Sequence, residues 1–140
     1  MITVRDYHRS DYAHVRTTLE EVEMYDPVRD NADNLLKKIQ LDPGSVIVAV
    51  DGKKAIGNVY AMYDGVFAFI FRLAVRKEYQ KKGVGSLLLT EAENRLREKG
   101  AARISLWIRE QELPRLHHFY QNRGYLLAEG KHQCMYKDLP

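Results

Sequence analysis

The positions of apolar residues predict three strands separated by two tight turns. The predicted strands cover Ser45–Val50, Ala55–Tyr63 and Val66–Val75, and the pairs Asp51-Gly52 and Asp64-Gly65 join them. An Asp-Gly pair between two apolar runs is typical of a two-residue hairpin turn, in which the central residues adopt positive φ angles. The third run is almost continuously apolar, which indicates a strand covered on both faces. We therefore predict an antiparallel meander.

Four helices are predicted around this meander, because apolar residues recur three or four positions apart in four further segments. These helices run from about Ser10 to Glu23, over Asp33–Leu41, over Gly83–Lys99, and from Pro114 to Arg123. Additional strands are predicted at Ile2–Arg5, Arg103–Ile108, Tyr125–Ala128 and Gln133–Lys137. The pattern indicates an α+β fold with a mixed central sheet of six or seven strands and helices on both faces. Its strand–helix–strand crossover over residues 66–108 is expected to be right-handed and parallel.

Length and composition limit the function classes. The 140 residues fit one domain, so residues 1–140 are predicted to form a single unit. No apolar stretch approaches the ~18 residues of a membrane span, and no signal region follows Met1. We therefore expect a cytoplasmic protein with no membrane partner. The single cysteine, Cys134, excludes an internal disulfide and is expected to be buried in the last strand. His117 and His118 are adjacent on a helix and face different sides, so no metal site is predicted.

Charge is distributed unevenly along the chain. Residues 1–71 carry a net charge of −3, residues 72–103 carry +5 and residues 104–140 carry +1. The basic middle favours an anionic ligand, and the acidic front half favours a cationic partner, although both can also be solvated faces. Nucleic-acid binding would rest on the basic middle alone, and a phosphate ligand already accounts for it. The front carboxylates are Glu20, Glu21, Glu23, Asp26, Asp30 and Asp33.

A glycine-containing loop joins the third meander strand to the third helix. It reads Gln80-Lys81-Lys82-Gly83-Val84-Gly85-Ser86. Glycines allow close approach of the backbone to a ligand, and a helix start presents free N–H groups and partial positive charge to an anion. The two lysines add full charge, so the loop is suited to a pyrophosphate; a purely structural turn is the alternative. A Walker loop is excluded because no lysine follows Gly85, and a dinucleotide fingerprint is excluded by Leu88.

Two segments resemble one known family. Leu73–Tyr79 followed by Gln-x-x-Gly-x-Gly is similar to the core motif of the GNAT N-acetyltransferase superfamily. Phe119–Tyr125 is similar to that family's Leu-Tyr-x-x-x-Gly-Phe helix end, and the specific resemblance covers about residues 72–125. It implies a GNAT-like domain in which the crossover carries a pyrophosphate loop. It also implies acetyl-CoA, or another acyl-CoA, as co-substrate, without a metal.

The resemblance implies roles for individual residues. The Leu73 N–H would face the thioester carbonyl and stabilise an oxyanion. Tyr120 would protonate the departing thiolate. Gln80 would brace the start of the loop, whose backbone amides would hold the pyrophosphate, while the backbone of residues 73–75 would pair with pantetheine. The residues implied to bind the co-substrate are Leu73, Ala74, Val75, Gln80, Lys81, Lys82, Gly83, Val84, Gly85 and Ser86.

Two departures from the family pattern leave alternatives open. Many members carry an asparagine seven residues before the tyrosine, where this chain has Leu113. Some use a strand glutamate as general base, but Val66–Phe71 contains no carboxylate; Glu110, Glu112 or the front helices remain candidates. The leading hypothesis is direct acetyl transfer from acetyl-CoA to a primary amine of a small molecule, peptide or protein. The alternative is a non-catalytic acyl-CoA sensor, and the resemblance also admits a homodimer.

Overall fold

The computed structural model describes residues 1–130 and 133–140. The chain divides into two compact units, Met1–Leu106 and Trp107–Pro140, and a single domain over the whole chain stays a prediction. The first unit contains every element up to β5, and the second contains α4. In chain order the elements are β1 (Ile2–Asp6), α1 (Tyr12–Glu21), α2 (Ala32–Leu41), β2 (Val46–Asp51), β3 (Lys54–Tyr63), β4 (Ala68–Val75), α3 (Val84–Glu98), β5 (Ile104–Ser105) and α4 (Leu113–Gln121).

The strands of the first unit form one sheet in the order β1-β2-β3-β4-β5. β1 to β4 pair antiparallel with their neighbours along the chain, which confirms the predicted meander. Both predicted turn glycines have positive φ angles, 63° at Gly52 and 104° at Gly65. The turns differ in detail from the prediction: Asp51 pairs with Lys54, so the first turn consists of Gly52 and Lys53, and Tyr63 pairs with Ala68, so the second connection has four residues and not two. β4 and β5 are parallel, so α3 is the predicted crossover helix. The right-handed sense of that crossover stays a prediction.

Helices cover both faces of this sheet, as predicted. On one face, α1 and α2 pack against alternate residues of β2 and β3. Buried members of this cluster include Val15, Leu19, Leu35, Val46, Val48 and Tyr60. α3 packs on the opposite face, where a methyl group added to Gly57 would lie 3.1 Å from Leu88 Cδ1. Each fully buried Val or Leu stabilises the fold by about 1.5–3 kcal/mol. The buried strands β2 and β3 are therefore stably packed, and β4 pairs with the second of them.

The predicted count of six or seven strands is wrong, because the described residues contain five. Tyr125–Ala128 and Gln133–Lys137 form no strand in the described part of the chain. Alternating apolar residues predicted them, but a strand also needs a neighbouring edge and a face to bury. Leu126 is 88% exposed and Met135 is 93% exposed, so neither segment buries an apolar face. Cys134 is also exposed, and the expectation of a buried cysteine is therefore wrong.

The described residues form neither a membrane-spanning helix nor a cluster of metal ligands. None of the helices they form is long and apolar enough to cross a membrane. Within residues 1–130 and 133–140, no group of three or more His, Cys, Asp or Glu side chains is placed to hold a metal ion. His117 and His118 are successive residues of α4, and their side chains therefore diverge.

Candidate functional site

β4 contains a bulge at Arg72 and Leu73. The pairing of β3 with β4 shifts by one residue between Asn58 and Tyr60, so both bulge residues lie opposite Val59. Arg72 has a φ of 55°, in the left-handed region that non-glycine residues adopt at a cost of about 1–3 kcal/mol. A bulge bends its strand and redirects the backbone groups around it. The backbone of Leu73 is therefore aimed differently from that of a regular strand.

Two buried side chains hold the bulge residue Arg72. Asn58 Nδ2 donates to the Arg72 carbonyl oxygen at 2.8 Å. Both carboxylate oxygens of Asp30 accept from Arg72 Nε at 3.1 Å. Asp30 is 2% exposed and Asn58 is fully buried. Burial, together with the Asp30 charge, raises the pKa of Tyr60, which keeps this neighbouring phenol protonated.

Asp30 and Asn58 were not predicted from the sequence as residues of this site. Arg72 and Asn58 each place a polar side chain within an apolar strand, and this was the available signal. Such an interruption indicates that a buried polar group needs a partner. It does not identify the partner, because Asp30 and Arg72 are 42 residues apart.

The edge of β4 that faces β5 is open at the bulge. Pairing between the two strands ends at Phe69 and Ser105, and β5 has two residues where the sequence predicted Arg103–Ile108. No other strand of the described residues pairs with this edge. Residues 73–75 lie beyond the last pair. Their backbone N–H and C=O groups can bind an extended ligand in the way that an added strand is bound.

The loop after β4 is tied to the sheet by two side chains. Gln80 Nε2 donates to the Val75 carbonyl oxygen at 2.9 Å, at the end of β4. Tyr79 Oη donates to the Asp51 carboxylate at 2.8 Å, at the end of β2, and this hydrogen bond raises the pKa of Tyr79. The Gln80 contact fits the bracing role that the resemblance implies. The start of the loop is therefore held in a fixed position relative to the open edge of β4.

The loop residues lead into the start of α3. Lys81 has a φ of 62° and Gly83 a φ of 84°. A methyl group added to Gly83 would contact nothing within 4 Å, so the backbone angle and not space favours glycine there. α3 begins at Val84, and the first amides of a helix have no intrahelical acceptor and carry partial positive charge. Lys81 and Lys82 are exposed beside them. This arrangement suits an anion.

The acidic surface predicted from the front half is largely neutralised by arginines. Of its six carboxylates, four form ion pairs with arginine side chains. These pairs are Arg16–Glu20, Arg76–Glu21, Arg29–Asp26 and Arg72–Asp30. Because each pair cancels its charge, the attraction of this region for a cation is weaker than the sequence alone indicates.

In the second unit, the end of α4 fixes the position of Tyr120. The Gly124 N–H donates to the Gln121 carbonyl at 3.0 Å, and the Tyr125 N–H donates to the Tyr120 carbonyl at 3.1 Å. Gly124 has a φ of 87°. These two bonds around a left-handed glycine form a Schellman motif. The motif explains why a glycine and an aromatic residue follow the tyrosine at fixed spacing.

Tyr120 is packed among aromatic rings within this unit. It is 9% exposed, and its ring lies edge-on to Phe119 and Tyr125 at centroid distances of 5.0 Å and 5.5 Å. Burial raises the pKa of Tyr120 to about 12, so the phenol is protonated at neutral pH. The structure thus brings residues 73–75 and 80–86 together in the first unit, whereas Tyr120 belongs to the second.

Candidates for a general base remain unassigned. Glu110 and Glu112 lie in a short 3-10 turn before α4. The Arg115 guanidinium donates to Glu112 and holds the pKa of that carboxyl below its usual value, which makes it a weaker base. In the first unit, most front carboxylates are bound to arginines, which weakens them as bases in the same way.

A protein-family model and several curated proteins match this chain. The model of the Acetyltransferase (GNAT) family matches residues 3–125. An acetyltransferase of Sodalis glossinidius is 26% identical over 106 residues, which cover 76% of this chain and 75% of that protein. An acetyltransferase of Pectobacterium atrosepticum is 26% identical over 107 residues, or 76% of each protein.

Solved structures share the fold. Ard1 from Thermoplasma volcanium matches with a TM-score of 0.79 at 22% identity, covering 91% of this chain and 84% of that one. The PaiA N-acetyltransferase from Thermoplasma acidophilum, solved in complex with coenzyme A, matches with a TM-score of 0.73 at 20% identity, covering 87% and 88%. These likenesses confirm a GNAT-like α+β fold. The family match over residues 3–125 and the acetyltransferases among the curated relatives confirm the predicted enzyme class of N-acetyltransferase, and the chain belongs to the acetyltransferase (GNAT) family.

Proposed function

We propose that this protein transfers the acetyl group of acetyl-CoA directly to an amine. The observation that carries the proposal is the bulged, open edge of β4, which continues into the glycine loop at the start of α3. An extended pantetheine arm pairs with residues 73–75 while its pyrophosphate lies at the helix start. The solved complex of a structural neighbour with coenzyme A supports the same class of donor.

The donor is held mainly by backbone groups in this proposal. Amides of residues 81–86 bind the pyrophosphate, because helix starts and glycine turns present N–H groups to anions. Gln80 fixes the start of the loop through its bond to Val75. The exposed Lys81 and Lys82 add positive charge beside the phosphates. The side chains of residues 73–75 remain free to pack, since only their backbone is used.

The proposed reaction needs one oxyanion donor and one acid. The unprotonated amine nitrogen attacks the thioester carbon and forms the C–N bond, while the carbonyl oxygen takes the negative charge. The Leu73 N–H stabilises this oxyanion. The C–S bond then breaks, and Tyr120 gives its phenolic proton to the thiolate. The nitrogen releases its extra proton to water or a base, and the products are an acetylated amine and coenzyme A. The role of Tyr120 rests on the motif and on its protonated state.

Binding and turnover test the proposal separately. Acetyl-CoA at about 100 times its dissociation constant should stabilise the fold by about 2.7 kcal/mol and raise Tm by several degrees. Release of free thiol, measured over a panel of primary amines with the amine omitted as control, should identify at least one acceptor. Absence of any Tm shift at saturating acetyl-CoA would contradict donor binding.

A non-catalytic acyl-CoA sensor is the second candidate. Leu113 stands where many family members carry asparagine, and Val66–Phe71 has no carboxylate. A Tm shift without thiol release for any amine would favour the sensor. The predictions of a cytoplasmic location, of no nucleic-acid or membrane partner, and of a homodimer remain proposals. The positive charge of residues 72–103 does not by itself favour a nucleic-acid partner, because a bound pyrophosphate accounts for this charge.

A further inference from the structure

We propose that Asn58 and Asp30 are positioning residues that orient the peptide between Arg72 and Leu73, and thereby aim the Leu73 N–H at the thioester oxygen. This inference rests on the proposed acetyl transfer, in which that N–H is the oxyanion donor. Neither side chain needs to touch the substrate. Both act through the backbone of the β4 bulge.

Asn58 acts on the same peptide unit that carries the donor. Its Nδ2 donates to the Arg72 carbonyl oxygen at 2.8 Å, and this carbonyl and the Leu73 N–H belong to one planar peptide group. In a trans peptide the C=O and N–H point in opposite directions. Fixing the direction of the carbonyl therefore fixes the direction of the N–H. Because Asn58 is fully buried, water does not compete with that carbonyl for the Asn58 amide group.

Asp30 holds the other end of the same residue. Its two carboxylate oxygens accept from Arg72 Nε at 3.1 Å, and Oδ2 also lies 3.1 Å from an Arg72 terminal nitrogen. Asp30 is itself fixed, because Oδ2 accepts from the Asp26 N–H at 2.9 Å. The carboxylate thus anchors the bulge to the segment between α1 and α2.

The conformation of Arg72 explains why two anchors are needed. With a φ of 55°, an arginine is in a region where its Cβ crowds the backbone, and only glycine enters that region freely. Released from its anchors, the residue would relax toward a regular strand. The peptide plane would then rotate, and the Leu73 N–H would no longer point at the thioester oxygen. The bulge is therefore a conformation imposed by its partners.

The primary test is a comparison of kcat with donor binding in Asp30→Asn and Asn58→Leu. Loss of a whole oxyanion donor costs about 10²–10³-fold in kcat, so misalignment should lower kcat about tenfold or more. The dissociation constant of coenzyme A should change less than about threefold, because the loop at residues 80–86 is untouched. Asp42→Asn is the matched control, since Asp42 also accepts from a cationic side chain, but its partner Lys99 lies outside β4.

A double-mutant cycle separates positioning from a general effect of charge. In Arg72→Gly the left-handed conformation is free and the guanidinium is absent, so adding Asp30→Asn should lower kcat no further. Equal losses from Asp30→Asn in the two backgrounds would overturn the inference. If Asp30→Asn folds poorly, Arg72→Lys is the alternative variant. Lysine keeps the positive charge opposite Asp30 but lacks the planar guanidinium that binds both carboxylate oxygens. This variant should therefore also lower kcat.

Failure of this inference is distinguishable from failure of the proposed function. If the wild-type protein releases thiol with an amine while Asp30→Asn, Asn58→Leu and Arg72→Lys all match its kcat, the positioning role is wrong and acetyl transfer stands. If the wild-type protein binds acetyl-CoA but turns over no amine, acetyl transfer is wrong, and the positioning role falls with it.

Discussion

At the scale of single residues, Tyr120 is both a packing residue and the proposed general acid. The Schellman turn at Gly124 fixes its backbone, and burial raises the pKa of its phenol to about 12. A raised pKa means that the acidic form persists at every pH below that value. The same burial that makes Tyr120 a packing residue therefore also keeps its phenol protonated over the whole neutral range, as the proposed acid role requires.

Tyr120→Phe should lower kcat about 10²-fold, the lower range for loss of a general acid, with little change in acetyl-CoA affinity. In the wild-type protein, kcat should show no loss from this phenol between pH 7 and 10, since its pKa is about 12. Tyr125→Phe is the matched control, because it removes a hydroxyl from the neighbouring ring. A pH profile of kcat for the three proteins checks both statements; an intact kcat in Tyr120→Phe would contradict the acid role.

At the scale of elements, what the sequence predicts well is local. The Asp-Gly turns, the glycine loop and the α4 end each depend on residues close together in the chain, and each was predicted. The bulge at Arg72 was not, because it appears only when β4 is set in register against β3. The false strands after Tyr125 fail for the same reason: alternation is local, but a strand also needs an edge to pair with.

The loop element makes a prediction of its own. Gly83→Ala places a Cβ on a residue with a φ of 84°, which should cost about 1 kcal/mol in stability. If the loop relieves this strain by changing conformation, acetyl-CoA should bind about fivefold more weakly, the equivalent of about 1 kcal/mol.

Gly65→Ala is the matched control, since it also has a positive φ and open space around the added methyl group. Both variants should lose stability in urea unfolding, but only Gly83→Ala should bind acetyl-CoA more weakly in calorimetry. Equal donor affinity in the two variants would show that the backbone at Gly83 is not needed for the ligand.

At the scale of the whole molecule, the net charge of +3 is the sum of a basic middle and an acidic front. The structure changes the interpretation of the acidic residues in the front half of the chain. Its carboxylates bind arginines from α1, β4 and the segments around them, and Asp30 is buried beside its partner at the β4 bulge. The sequence shows how many charges a segment carries, but only the fold shows which are already paired.

Glu20→Gln, Glu21→Gln and Glu23→Gln combined should raise the KM of a cationic acceptor about threefold at low salt, because negative potential attracts it. The increase should shrink above about 0.1 M salt, where the Debye length falls to about 10 Å. A variant with Glu98→Gln, Glu129→Gln and Asp138→Asn removes the same charge elsewhere. An acceptor KM that is unchanged at low salt in the first variant would exclude a cationic acceptor attracted by this surface.

The left-handed backbone at Arg72 also has a consequence for laboratory evolution. A selection for heat resistance alone would favour glycine at this position together with a neutral residue in place of Asp30, because the two substitutions remove the conformational strain without leaving a buried carboxylate unpaired. These substitutions would also remove the anchor that Asp30 provides, and only the Asn58 hydrogen bond to the backbone carbonyl would still hold the peptide. Thermal tolerance and turnover should therefore be opposed at Arg72, as they are wherever a working site keeps an unfavourable geometry. A library selected without an activity screen would enrich proteins that survive heating and transfer acetyl groups slowly.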